Sequence, residues 1–426
     1  MKPFLSAITG ITPLLAGGLA AALALGTASV ALAQSSDKSA SGKTVVTFAA
    51  SHFAEVGRGD RLKAWVEKFN QSQPDIEVKP VTIPFSSFAT TIFTQMGGNG
   101  GPDVIRFDLP EFYAAVAAKS VLPIDDIVKD GAHTFTAADQ YMKVEGKRYG
   151  FAFDTANYAM VYNAALLPNG TPPKTFEEFV KLGKEATKDG NYGFAFRATM
   201  AERGGVWYDL TNFVYGFGGR WSKPDGTPTF NSPEVVAGVA AYKTVYDAGM
   251  IPKGTDAATY RRMFWEGKVA MEIDNGGVAT ILTSQGKAHP IAAAPSPFPH
   301  KEQGMILAPV TINANTKVKD AAGKFLQWAL QPQQQQELQT LLGAANVATT
   351  VERTPEELQA MPWLKVYDAQ TPNSVPALPQ GLETKAPEIQ QIIVQQLLKV
   401  LQGGVAPQTA MDEAQRLITA RVLAQK

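Results

Sequence analysis

The sequence predicts an α/β protein of two lobes, each a mostly parallel sheet flanked by helices. Strand and helix patterns alternate along the chain, and they do so in two successive series. The chain of 426 residues is also longer than the roughly 250–300 residues that one hydrophobic core usually serves.

Thr44 to Ala50 (TVVTFAA) is β-branched, aromatic and uncharged, which predicts a buried first strand. Leu62, Trp65, Val66 and Phe69 then fall at i, i+3, i+4 and i+7, the stripe of a helix opened by Asp60 and stopped before Pro74. Ile76, Val78 and Val81 alternate as a second strand, completing a βαβ unit with a right-handed crossover. A helix from Ser86 to Met96, a glycine-rich break at Gly97 to Gly101, a strand Pro102 to Phe107 and a helix Pro110 to Lys119 repeat the pattern. The second series comprises a strand Ala159 to Tyr162, a helix Phe176 to Thr187, a strand Gly193 to Phe196 and a helix after Trp207. After a turn at Lys223 to Gly226 come helices Pro233 to Ala248 and Tyr260 to Glu266, then a strand Val269 to Ile273. Gln331 to Gln339 reads as polar helix surface, and Ile389 to Leu401 as a structural amphipathic helix with Pro387 at its start and Gly403-Gly404 at its stop.

The N-terminus has one basic residue, Lys2, an apolar run from Ile11 to Leu32 and an Ala31-Leu32-Ala33 end, the pattern of a cleavable signal peptide. Residues 1–33 are therefore expected to be removed on export to the periplasm, with 34–43 as a flexible linker. Basic and acidic residues balance at 39 each, which gives no electrostatic footprint for nucleic acid or membrane. The chain has no Cys, so disulfides, zinc thiolates, thiol catalysis and a lipid-anchor Cys are excluded.

No catalytic motif survives inspection. There is no G-x-S-x-G elbow, Ser284 to Lys287 matches S-x-x-K without its companion motifs, and Gly42-Lys43-Thr44 lacks the upstream Gly of a phosphate loop. His52, His133, His289 and His300 show no metal-ligand spacing, so neither metal nor cofactor is expected. Paired carboxylates, which need only meet in space, leave a secreted glycoside hydrolase as the alternative to a binding protein.

A series of short segments, in order along the chain, resembles the extracellular solute-binding proteins of ABC sugar importers (family 1, maltose-binding-protein-like). They are FNQSQPDIEV at Phe69 to Val78, Gly101-Pro102-Asp103-Val104, Val121-Leu122-Pro123-Ile124, and GKRYGFAFDT at Gly146 to Thr155. Tyr162-Asn163, Pro173 to Phe179, Gly218-Gly219, Phe230 to Glu234 and Gly267 to Met271 continue the series. The resemblance implies a two-lobed periplasmic-binding-protein fold with a ligand cleft between the lobes, a sugar or sugar-derivative ligand, membrane permease partners and a soluble monomer. It places residues 44–155 with 310–345 in the N-terminal lobe and 156–309 with 346–426 in the C-terminal lobe. Crossings are expected near Asp154 to Ala159, Pro309 to Asn313 and Gly343 to Thr350.

Ligands of open α/β sheets sit beyond the carboxyl ends of strands. The loop after the first strand offers Ser51, His52, Phe53 and Glu55; the loop after Phe107 offers Asp108 and Glu111. Ionised carboxylates accept strong hydrogen bonds from sugar hydroxyls. From the other lobe, the resemblance implies a sugar-stacking aromatic at Trp207 or Tyr208. Trp65, Trp265 and Trp328 fall in helical stripes and are expected in the core. Asn275, Gly276, Gly277 and Val278 occupy the family's Asn-Gly-Pro-Trp segment, but Val278 replaces its stacking residue, so the resemblance carries no maltodextrin specificity. Asn157, Asn346 and Arg353, beside the crossings, complete the expected ligand set. Arg353 or Arg203 in the cleft would favour an anionic sugar derivative, because a guanidinium pairs with carboxylate or phosphate bidentately.

Overall fold

A computed structural model of the protein describes residues 42–424. The expected signal peptide and most of the linker lie outside the described residues. The strands are β1 (Thr44–Ala50), β2 (Ile76–Thr82), β3 (Val104–Arg106), β4 (Lys143–Val144), β5 (Lys147–Arg148), β6 (Phe151–Ala156), β7 (Tyr158–Tyr162), β8 (Tyr192–Ala195), β9 (Val269–Asn275), β10 (Ala292–Ala294), β11 (Gln303–Ile312) and β12 (Ser374–Pro376).

One sheet has the order β12-β11-β3-β1-β2, with β6 also paired to β11; a second has the order β10-β7-β9-β8. The parallel expectation holds for β2, β1 and β3, where helices Gly59–Ser72 and Phe85–Gly97 make the crossovers. Both sheets are nonetheless mixed. β11 runs against β3 and β6, and β7 runs against β9 and β10. Both strands begin where the chain enters a lobe from the other one, and both run antiparallel to these neighbours.

Apolar side chains fill both faces of each sheet. Val46, Phe48 and Ala50 of β1 face a core with Trp65, Phe153, Phe325 and Trp328, while Ala49 faces a second core with Ile105, Phe107 and Phe112. Around the second sheet, Phe179, Phe194, Trp207, Phe213 and Tyr242 pack on one side, and Tyr260, Phe264, Val278 and Tyr367 on the other.

The first crossing is Asn157, between β6 and β7. The return comes earlier than Pro309 to Asn313, because β11 already pairs within the first sheet from Gln303. At the third, Asn346 bridges Thr155 through backbone hydrogen bonds in both directions. The stretch 346–426 is not confined to the second lobe: β12 returns to pair with β11 before helix Ala386–Gln402 packs into the core beside the second sheet. The glutamine-rich segment also departs from a purely polar surface. Helix Pro332–Leu342 buries Gln334, Gln335 and Gln339; Gln335 Nε2 donates to the Ala329 carbonyl, and Gln339 Nε2 to those of Gly343 and Ala345. Hydrogen bonds to backbone carbonyls thus accommodate Gln335 and Gln339, whereas Gln334 Oε1 has no partner.

Candidate functional site

The carboxyl ends of β1, β3 and β6 deliver Ser51, Arg106 and Asp154 to the edge of the first sheet that faces the second lobe. Asp108 is the N-cap residue of helix Leu109–Ala117, which Pro110 opens and whose first turn carries Glu111. A carboxylate at an N-cap ordinarily accepts from its own helix. Asp108 does not; its Oδ1 accepts from Arg106 Nη1 at 3.3 Å instead. Arg106 is buried and gives its remaining fork to Asp154, with Nε to Oδ1 at 2.6 Å and Nη2 to Oδ2 at 2.8 Å.

Opposite stands the start of helix Arg203–Gly216, preceded by the turn Met200–Glu202. Between the two lobes lies a cavity of about 180 Å³. Ser51, Phe85, Ser86, Arg106, Asp108 and Glu111 line one side; Met200, Glu202, Arg203, Gly204, Tyr208 and Gln390 line the other. Phe85 and Met200 are among the few exposed large apolar side chains. They form an apolar lip on a polar chamber.

Several buried polar atoms around this chamber have no protein partner: Tyr208 Oη, Arg203 Nε and Gln390 Oε1. Arg203 spends Nη1 on Gln391 Oε1. The carboxyls are not equivalent. Burial pushes Asp108 up, against the pull of Arg106 and with help from Asp154 and Glu55. Glu111 is pushed up to about 8, first by burial and then by the charge of Asp108, with Arg203 only partly offsetting them. Burial together with Asp108 and Glu111 raises the Tyr208 phenol well above its usual value, so it stays a donor.

Of the residues expected from the sequence, Ser51, Asp108, Glu111, Arg203 and Tyr208 reach the cavity. His52 and Glu55 stand behind that wall: His52 Nε2 is 4.0 Å from Asp154, and Glu55 Oε2 is 2.7 Å from Arg58 Nη1. Burial, Arg106 and Arg58 hold His52 well below the usual imidazole range, so it is neutral. The others do not line the cavity. Phe53 packs edge-on against Phe48 in the core, and Trp207 is wholly buried, stacked on Trp221 with its Nε1 donating to the Ala377 carbonyl. Residues adjacent on a helix point about 100° apart, so Trp207 and Tyr208 cannot share one destination.

Asn157 Nδ2 donates to the Tyr367 carbonyl and Thr371 Oγ1, fixing the crossing. Asn275 caps helix Gly276–Gln285 by accepting from Val278 N. Gly276 packs against Ala344, and a Cβ on Gly277 would lie 2.4 Å from Arg58 Nη2, so both glycines serve close packing. Arg353 is held by Asp368 and the Gly343 carbonyl, and Asn346 is half-buried at its bridge. Val278 is likewise core. Among the expected core residues, Trp65 and Trp328 are buried and Trp265 packs partly buried.

Sequence reasoning missed Arg106, which sits within a strand, and Gln390, which sits on a helix with an obvious core stripe. Phe85 and Ser86 follow β2, so the rule that found Asp108 also finds them. No group of three or more His, Asp or Glu among the described residues is arranged to hold a metal ion.

A family model of bacterial extracellular solute-binding proteins matches residues 54–336. The sn-glycerol-3-phosphate-binding periplasmic protein of Agrobacterium fabrum is 22% identical over 263 residues, 56% of this chain and 59% of that protein. A galactooligosaccharide-binding protein of Bacillus subtilis is 22% identical over 255 residues, 56% of this chain and 60% of that protein. The matched stretch thus spans under two thirds of the length of these relatives. Among solved structures, the GacH receptor of Streptomyces glaucescens, studied unliganded and with acarbose, superposes with a TM-score of 0.78 at 21% identity. That match covers 90% of this chain and 99% of the receptor and establishes the two-lobed fold. No helix among the described residues is long and apolar enough to cross a membrane. With the family model spanning most of its length, the chain belongs to the bacterial extracellular solute-binding protein family.

Proposed function

We propose that the protein captures a small carbohydrate or polyol in the interlobe cavity and delivers it to the permease of an ABC importer. In this reading it works as a soluble periplasmic monomer, exported by cleavage after Ala33. The convergence of unpartnered buried polar atoms on one chamber carries the reading: Tyr208 Oη, Arg203 Nε and Gln390 Oε1 face Asp108 and Glu111. Buried polar groups cost about 1–3 kcal/mol each when unsatisfied. A polyhydroxylated solute, which both donates and accepts, satisfies all of them at once.

Size and shape support a small ligand. A volume of about 180 Å³ falls below the roughly 300–1,000 Å³ of drug-sized sites, which suits one ring or an open-chain polyol better than a long oligosaccharide. Phe85 and Met200 offer the apolar surface that a sugar's C–H face needs. The named ligands of the relatives belong to the same broad chemistry.

The hydrolase alternative finds no support. Glycosidase carboxyls flank a scissile bond from two sides, whereas Asp108 and Glu111 rise from a single turn of one helix and Glu202, on the opposite wall, is engaged by Arg197 at 3.3 Å. With residues from both lobes lining the site, a solute stabilises the closed arrangement over an open one. A thermal-shift screen of the mature protein against sugars, polyols and sugar phosphates tests the reading. A true ligand at 100 times its Kd stabilises by about 2.7 kcal/mol. Small-angle scattering with that ligand should show compaction, and candidate glycans should remain intact on incubation. Stabilisation by no carbohydrate, or release of cleaved product, overturns it.

A further inference from the structure

Asp108 and Glu111 enter one cavity from adjacent corners of the same helical turn. The guanidinium on their own side of the cavity, Arg106, has its Nε and Nη2 committed to Asp154 and its Nη1 to Asp108. Nothing on the first lobe is left to balance a second charge. From the other elements packed around it, Glu111 meets Arg203 and Tyr208 of helix Arg203–Gly216 and Glu202 of the preceding turn. Glu202 is already paired with Arg197, and Glu383 acts on the Tyr113 phenol of the same helix. The surroundings thus favour one carboxylate and one carboxylic acid side by side, with the proton on the residue farther from Arg106.

Resting on the solute-capture reading above, we propose that Glu111 is the specificity-determining residue of the cavity: as a carboxylic acid it donates to one hydroxyl of an uncharged polyol while Asp108 accepts from the neighbouring hydroxyl. The pair reads a vicinal diol. The same corner disfavours a phosphate or carboxylate group in place of either hydroxyl. Such a group brings no proton of its own for Asp108 and meets its charge there, while Arg106 is committed to Asp154 and Asp108; Arg203, with Nη1 on Gln391 and Nε unpartnered, stands on the opposite wall. Burial and Asp108 together hold the Glu111 proton up to a pKa of about 8.

The experiment titrates the mature wild-type protein and the Glu111→Gln variant by calorimetry between pH 6.5 and 9.5. The probes are neutral hexoses, pentoses and alditols, with glucose 6-phosphate, glucuronate and sn-glycerol 3-phosphate as the charged set. The inference expects a neutral binder, at least tenfold weaker binding of the anions, and wild-type affinity for the neutral probe that falls about tenfold per pH unit above about 8. Glutamine cannot ionise, so Glu111→Gln should abolish the fall above about pH 8. Tighter binding of an anion, or the same pH dependence in both proteins, overturns the inference while leaving solute capture standing. If neither set binds, the reading on which the inference rests fails with it.

Discussion

On the first-lobe side of the cavity the buried guanidinium of Arg106 faces the chamber and shares it with Asp108 and Glu111. On the second-lobe side Glu202 and Arg203 reach the cavity, but the deeper charges are paired among themselves. Arg197 there binds Asp209 at 2.7 Å and the cavity-lining Glu202 at 3.3 Å, and Arg261 binds Asp274 at 2.8 Å behind the wall that offers Tyr208, Arg203 and Met200. Gly205 makes the first of these possible, because a Cβ would lie 2.1 Å from the Arg197 side chain crossing it. The contrast assigns different jobs to similar chemistry. One charge network is closed on itself and holds a wall in place; the other is left open and, in our proposal, is completed by the solute.

Breaking the closed network should give the largest effect. Asp209→Ala leaves the buried Arg197 guanidinium with Glu202 alone and is expected to cost about 3 kcal/mol in urea unfolding. The affinity of the folded remainder should hardly change. Asp108→Asn should behave in the opposite way, with affinity for the neutral solute falling by about 1.5–3 kcal/mol while the urea midpoint moves much less. Tyr208→Phe sharpens the comparison further, removing a hydroxyl with no protein partner. Calorimetry should show about 0.5–1.5 kcal/mol of lost binding and no lost stability.

The smallest effect concerns Glu272, buried behind the second-lobe wall with neither carboxyl oxygen partnered. Burial and Asp274 raise its pKa well above the usual 4.5. The native state therefore keeps a proton that the unfolded chain releases, and stability falls as pH rises above the unfolded value. Glu272→Gln removes that loss. Urea midpoints of variant and wild type should diverge, in favour of the variant, as pH climbs from about 4.5 toward the folded pKa.

Much of the scaffold was legible because periodicity is a direct imprint of burial. β1 and the helices Gly59–Ser72 and Phe176–Ala186 fall within a residue or two of their sequence patterns. The return crossing was less so, since β11 is apolar along its length and nothing in its composition marks which sheet it joins. At the site, Asp108 and Glu111 were legible from their place after a strand. Trp207 and Tyr208 were legible only as a pair, because one helical step separates core from cavity. Asn275 and Arg353 carry side chains well suited to sugars, yet a helix end and a partner carboxylate claim them first. Such competition is tertiary and leaves no mark in a single sequence.

The central claim is that solute binds between Asp108 and Glu111 on one lobe and Tyr208 and Arg203 on the other. A crystal structure of the mature protein with the best ligand from the thermal-shift screen tests it most directly. The account predicts ligand hydroxyls within hydrogen-bond distance of Asp108 and of Tyr208 Oη, beneath the lip of Phe85 and Met200. Ligand density elsewhere, for example against the start of helix Gly276–Gln285, with the chamber between Asp108 and Tyr208 left to water, would contradict it.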